Sequence, residues 1–105
     1  MGLMNEHPAD VSYTVVQLTL AFASLDEVQA REPRLLAEHL EKSKRLHEDG
    51  DLLMAGAFLD PAEQLETMAV LRTVDAARRF VDGDPFVHAG YALNVRTRPW
   101  ANMFR

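Results

Sequence analysis

The stretch Leu52 to Arg72, LLMAGAFLDPAEQLETMAVLR, decides the fold of this chain, because it reads as two strands in succession with no helix between them. Leu52 to Phe58 is a continuous apolar run bounded by polar turn residues, which suits a strand buried on both sides better than a helix of that length. Asp60-Pro61 begins a turn and Ala62 to Leu65 forms the lead-in loop. Thr67 to Arg72 alternates as the next strand, with Met68 and Val70 opposing Ala69 and Leu71. A hairpin is the expected result.

On the N-terminal side, Ser12 to Phe22 alternates, with Val16, Leu18, Leu20 and Phe22 on one face and Tyr13, Val15, Gln17 and Thr19 on the other. This is a strand with one buried face. Ser24-Leu25-Asp26-Glu27 has the spacing of a capping box, but Pro33 interrupts anything begun there, so a short turn is expected first and the main helix from about Pro33 to Asp49. Leu35, Leu36, Leu40 and Leu46 recur along it at helical spacing, and Gly50 supplies a left-handed stop. On the C-terminal side, Thr73 caps a second helix whose apolar stripe is Val74, Ala77, Phe80 and Val81, ended by Gly83. Tyr91 to Thr97 is a fourth strand, with Tyr91, Leu93 and Val95 on one face.

The order strand, helix, strand, strand, helix, strand predicts an α+β, ferredoxin-like antiparallel sheet (βαββαβ) with two helices on one face. The other face still carries Tyr13, Val15, much of Leu52 to Phe58 and one set of the fourth strand. The same face of a second copy is the simplest cover, because a two-fold contact is self-complementary and closes. A homodimer through the open sheet face is therefore expected.

At 105 residues the chain is a single domain, 1–105, able to remove roughly two-thirds of its unfolded surface from water. Eleven Lys and Arg against sixteen Asp and Glu give a net charge of −5, with the basic residues interleaved among acids, so no nucleic-acid partner is expected. The absence of cysteine excludes disulfides, thiolate metal sites and a cysteine nucleophile. The first ten residues contain neither a basic nor an apolar leader segment, and no run is long enough to cross a bilayer. The expectation is a soluble, cytoplasmic protein that does not engage membranes. There is no Gly-rich phosphate loop, Ser/His/Asp arrangement or paired-carboxylate signature, which disfavours nucleotide hydrolysis and acyl transfer and implies no cofactor.

Proton transfer is the chemistry the remaining residues suit. His39 shares a helix face with Leu36, Leu40 and Ser43, so its imidazole points toward the sheet and needs a partner. Asp84, in Asp84-Pro85-Phe86-Val87-His88-Ala89-Gly90, can be that partner: a carboxylate that fixes the tautomer of an imidazole makes a general base near neutral pH. The plainer readings are a core histidine satisfied by one hydrogen bond, and an Asp84 that caps a helix with Pro85 at its first position. Capping and orienting can coexist, since a carboxylate has two oxygens. Ser43, one turn beyond His39, either bonds it or a ligand, or bonds its own backbone. Phe58, Phe86, Tyr91 and Trp100 can build an apolar pocket for a ring, or simply pack. His88 either lines that pocket or faces water, and His47 suits a cation at a helix end. The histidines lack the close spacing of a metal site, so no metal is expected. The tail Trp100 to Phe104 is apolar enough to be expected to fold over the partner or the pocket.

His39-Leu40, Gly50-Asp51-Leu52-Leu53-Met54-Ala55-Gly56, Asp84-Pro85-Phe86 with Ala89-Gly90, and Val95-Arg96-Thr97-Arg98-Pro99-Trp100 occur in order and at suitable spacing. On these motifs the chain resembles the YciI-like family, from the first strand to Phe104. The resemblance implies a dimeric α+β barrel of ferredoxin-like protomers, with His39 and Asp84 at the positions of a proposed catalytic pair. Three departures stand out: Leu36 occupies a position where many relatives carry an arginine, Gly56-Ala57 replaces a Gly-Pro dipeptide, and the loop before the third strand is shorter than in relatives. Most members have no assigned reaction, while one type eliminates chloride from a hydroxylated aromatic ring. The leading expectation is thus a cofactor-free lyase- or isomerase-like enzyme acting on a small apolar or aromatic substrate through His39 and Asp84, with Ser43, Phe58, Phe86, His88 and Trp100 around the ligand. The alternatives are a dimeric module that binds a metabolite without changing it and, by fold analogy alone, a cofactor-free oxygenase.

Overall fold

The computed structural model describes residues 12–104. The leader expectation concerns the first ten residues, which lie outside this range. The elements are β1 (Ser12–Leu20), α1 (Leu25–Arg31), α2 (Pro33–Glu48), β2 (Leu52–Ala57), β3 (Leu65–Leu71), α3 (Val74–Asp82), α4 (Pro85–His88) and β4 (Ala92–Ala101). The four strands form one sheet in the order β2-β3-β1-β4 with every neighbouring pair antiparallel. The chain is therefore α+β with the ferredoxin-like order of elements that the tandem strands predict.

Period-two alternation in β1 places Val16, Leu18 and Leu20 on the helix-covered side, where each is at most 4% exposed, and Phe22 continues the same side beyond the strand end. Ala69, Leu65 and Leu71 of β3 and Ala76, Ala77 and Phe80 of α3 complete this core, with Leu35, Leu36 and Leu46 of α2 packed at its margin. Thr73 starts α3 as predicted, its hydroxyl accepting from Ala76 N–H (3.0 Å). Ala77 and Phe80 of the expected α3 stripe are buried, whereas Val74 is exposed and Ala76 is buried in addition.

The helical reading of Pro33 to Asp49 matches α2, and Gly50 stops it at φ +84°. Gly50 N–H bonds the His47 carbonyl (3.0 Å) and Asp51 N–H the Leu46 carbonyl (2.9 Å), the paired closure that left-handed glycine allows. The segment before it is a seven-residue helix, α1, and not the short turn expected. Ser24 Oγ accepts from Glu27 N–H (3.2 Å), and the Glu27 carboxylate takes Ala23 N–H (2.5 Å) and pairs with Arg31 (2.8 Å), which is enough to hold two turns. Pro33 limits α1 by pushing the preceding Glu32 out of helical geometry (φ −136°, ψ 59°), and then opens α2 at its first position.

Three strand expectations also change. β2 is not buried on both sides: Met54, Ala55 and Gly56 are exposed, because the strand occupies the sheet edge beyond β3. Leu65 belongs to β3 and not to the loop, where it pairs with Leu20. β4 runs on to Ala101, and a register shift at Thr19/Leu20 leaves Leu93 without a β1 partner, so Leu93 and Val95 do not extend one regular face with Tyr91. The tail tryptophan is accordingly a strand residue: Trp100 pairs with Tyr13, ring centroids 6.3 Å apart, on the face away from the helices.

Candidate functional site

The site forms where α2 passes the junction of α3 and α4. Gly83 closes α3, and Asp84 begins α4 in extended geometry (φ −77°, ψ 125°) with Pro85 at the first helical position. Asp84 Oδ2 accepts from Phe86 N–H (3.0 Å) and Val87 N–H (3.1 Å), so the cap reading of this residue holds. Its other oxygen, Oδ1, is 2.5 Å from His39 Nδ1. The carboxylate is 3% exposed, and a charge withdrawn this far from water needs all of these partners; no buried side-chain polar atom among the described residues lacks one.

His39 is partly exposed, and two aromatic rings frame its imidazole: Phe86 at 5.6 Å and Phe80 edge-on at 6.2 Å between centroids. Phe86, 2% exposed, packs in turn on Phe22 and Tyr91, which meet each other at 4.7 Å. The Tyr91 hydroxyl donates to the Glu32 carboxylate between α1 and α2. That bond, ahead of desolvation and the nearby Glu32 charge, holds the Tyr91 hydroxyl above the ordinary tyrosine value. A continuous stack thus runs from the α1–α2 corner to the imidazole.

With Nδ1 committed to Asp84, the free ring nitrogen of His39 is Nε2. His39 lines a groove of about 500 Å³ between α2 and the β2–β3 hairpin, whose walls are largely apolar: Leu36, Leu40, Leu52, Ala57, Ala69 and Phe80. On its other side the imidazole borders a smaller cleft of about 200 Å³ with Asp84, Lys42 and Arg79. The groove is open to solvent, and its size suits a small molecule.

Of the residues singled out in the sequence, the structure brings His39, Asp84 and Ser43 together, with Ser43 on the groove wall. Phe86 supports the imidazole from behind but is buried. Phe58 lies beyond the groove, beside a separate hollow of about 550 Å³ that also borders Asp26, Asp60 and Glu66. His88 is exposed and turned to the Asp82 carbonyl, and Trp100 sits at the far end of the sheet; neither lines the groove. Two groove residues were not read from the sequence as such. His47, whose Nδ1 donates to the Leu52 carbonyl (2.7 Å), and Lys44 both line the wall, at eight and five residues from His39. Among the described residues no cluster of three His, Cys, Asp or Glu side chains could hold a metal ion, and no helix is long and apolar enough to cross a membrane.

Residues 17–101 match the family model for the YCII-related domain. The chain belongs to this family. A curated relative, Protein YciI of Escherichia coli O6:H1, is 31% identical over 90 residues, covering 75% of this chain and 92% of that protein. Among solved structures, the YCII fold seen here is similar to 5-chloro-2-hydroxyhydroquinone dehydrochlorinase from Burkholderia phenoliruptrix AC1100 in complex with 2,5-dihydroxybenzoquinone. That match has a TM-score of 0.60 at 18% identity and covers 84% of this chain and 92% of the other. A dimeric ferredoxin-like protein from an uncultured marine organism matches with a TM-score of 0.51 at 10% identity, covering 93% and 94% of the two chains. At these identities the structural matches speak to fold alone.

Proposed function

We propose that this YCII-family chain is a cofactor-free enzyme in which His39, oriented by Asp84, moves a proton on a small substrate held in the groove between α2 and the β2–β3 hairpin. The observation that carries this reading is the 2.5 Å contact of His39 Nδ1 with a carboxylate that is itself fixed by two backbone amides. Such a carboxylate selects the tautomer with hydrogen on Nδ1 and leaves the Nε2 lone pair as the base. Nε2 takes a proton from a substrate carbon or hydroxyl, and Asp84 stabilises the imidazolium that results. In an elimination, the electron pair left behind forms a double bond as the leaving group departs with its own pair. In an isomerisation, the imidazolium returns the proton to a different carbon. The dehydrochlorinase that shares this fold makes elimination from a hydroxylated, halogenated ring the first chemistry to try.

The test is turnover of a panel of hydroxylated and halogenated aromatics by the wild type and by His39→Ala. Acid–base assistance typically contributes a factor of about 10²–10⁴, and the variant should lose that much. Equal turnover by both would remove His39 from the mechanism.

We also infer that the working unit is a homodimer paired through the open sheet face. Tyr13, Met54, Met68 and Trp100 share that face by register, and Met54 and Trp100 are 63% and 48% exposed. A related fold is described as dimeric.

A further inference from the structure

The charges around the groove are lopsided. The protein is acidic overall, at −5, yet among the described residues no Asp or Glu lines this groove. The one fixed charge on its wall is Lys44. Among the described residues the ion pairs are Arg31–Glu27, His39–Asp84, Arg45–Glu41, Arg78–Asp75 and Arg79–Asp51, and Lys44 takes part in none of them. Glu48, one turn further along α2, is beyond ion-pair distance, so the ammonium is left for something else.

Helix geometry says where that ammonium stands relative to the imidazole. At about 100° and 1.5 Å per residue, His39, Ser43, His47, Leu40 and Lys44 fan in that order across roughly 140° of α2, and Lys44 lies about 7.5 Å further along the axis than His39. His39 occupies the inner margin of the groove, against Phe80 and the buried Asp84, while Lys44 occupies the outer rim. The wall between them is apolar through Leu36 and Leu40, with the Ser43 hydroxyl as a polar point. A molecule spanning this gap meets a base at one end, aliphatic surface at its middle and an unpaired cation at the other end. Lysine stems lie along apolar surface while their ammonium reaches outward, which lets Lys44 close on a ligand without disturbing the helix.

We propose that the groove selects an apolar, ring-sized acid, whose anionic end is held by the Lys44 ammonium while its reacting end lies against His39. This rests on the reading of the groove as the acid–base site, and it narrows the substrate class to organic acids.

The test compares 3-hydroxybenzoate with its uncharged, nearly isosteric amide, 3-hydroxybenzamide. Each is titrated into the wild type, Lys44→Gln and Lys44→Arg, and binding is followed by NMR shifts of the imidazole and groove backbone signals. The wild type and Lys44→Arg should bind the acid about fivefold more tightly than the amide, the range of one partly exposed ion pair. Lys44→Gln should bind the two alike, and added salt should reduce the wild-type preference. Equal binding of acid and amide by the wild type, no saturable binding of either, or a preference that survives in Lys44→Gln would each overturn the assignment. Because the measurement involves no turnover, its outcome is separate from that of the His39→Ala rates.

Discussion

At the scale of single residues, Asp84 carries two duties through its two oxygens, and substitutions separate them. Asparagine keeps a side-chain carbonyl that can accept from Phe86 and Val87 N–H, so Asp84→Asn should retain most of the cap, whereas Asp84→Ala should lose about 1 kcal/mol of stability with it. Both remove the negative charge that fixes the imidazole tautomer, and both should therefore lower turnover together, by a factor on the order of 10² or more. Urea unfolding set beside rates on any substrate found in the aromatic panel reads out this split. Stability and rate falling in parallel across the two variants would mean that Asp84 acts only as a cap. The two partners were legible in the sequence for local reasons: helical period turns His39 inward beside Leu36, and Gly-Asp-Pro is a helix restart. Lys44 and His47 were not, because on a helix face a lysine or histidine looks the same whether it borders water or a groove.

At the scale of elements, the stack from Glu32 through Tyr91 and Phe86 to the imidazole ties the α1–α2 corner to the start of β4. The Tyr91 hydroxyl titrates above its ordinary value in the fold, so the stability it contributes is fully present below the unfolded tyrosine pKa, about 10, and is lost as pH rises through the higher folded value. Urea midpoints measured from pH 8 to pH 11 should fall at the alkaline end by more in the wild type than in Tyr91→Phe. Identical alkaline losses in the two would show that the hydroxyl contributes nothing through ionisation. Element type followed from periodicity, caps and proline rules, which is why α2, α3 and β1 appear where expected. What those local rules could not give was place in the sheet. β2 reads as fully buried because its residues are apolar throughout, but an edge position is decided by which strand pairs with which. The Leu93 irregularity is likewise a matter of cross-strand register.

At the scale of the whole molecule, the helices cover one side of the sheet and leave methionine and aromatic side chains exposed on the other, Met54 and Trp100 among them. A lysine introduced at Met68, near the middle of that face and paired with Gln17, places a charge inside the contact proposed between two copies. Met68→Lys should sediment as a monomer where the wild type sediments as a dimer, with little change in the circular dichroism of the protomer. A wild type that is monomeric at micromolar concentration would dispose of the pairing. The homodimer is a proposal reached from two helices being too few to cover both sheet faces.

The acid behind the imidazole is anchored by the opening turn of a helix only four residues long. So small a coil has little cooperativity of its own and depends on Phe86 being wedged beneath it. Warming that loosens this one turn, while the sheet stays intact, would let the ring swivel away from its companion.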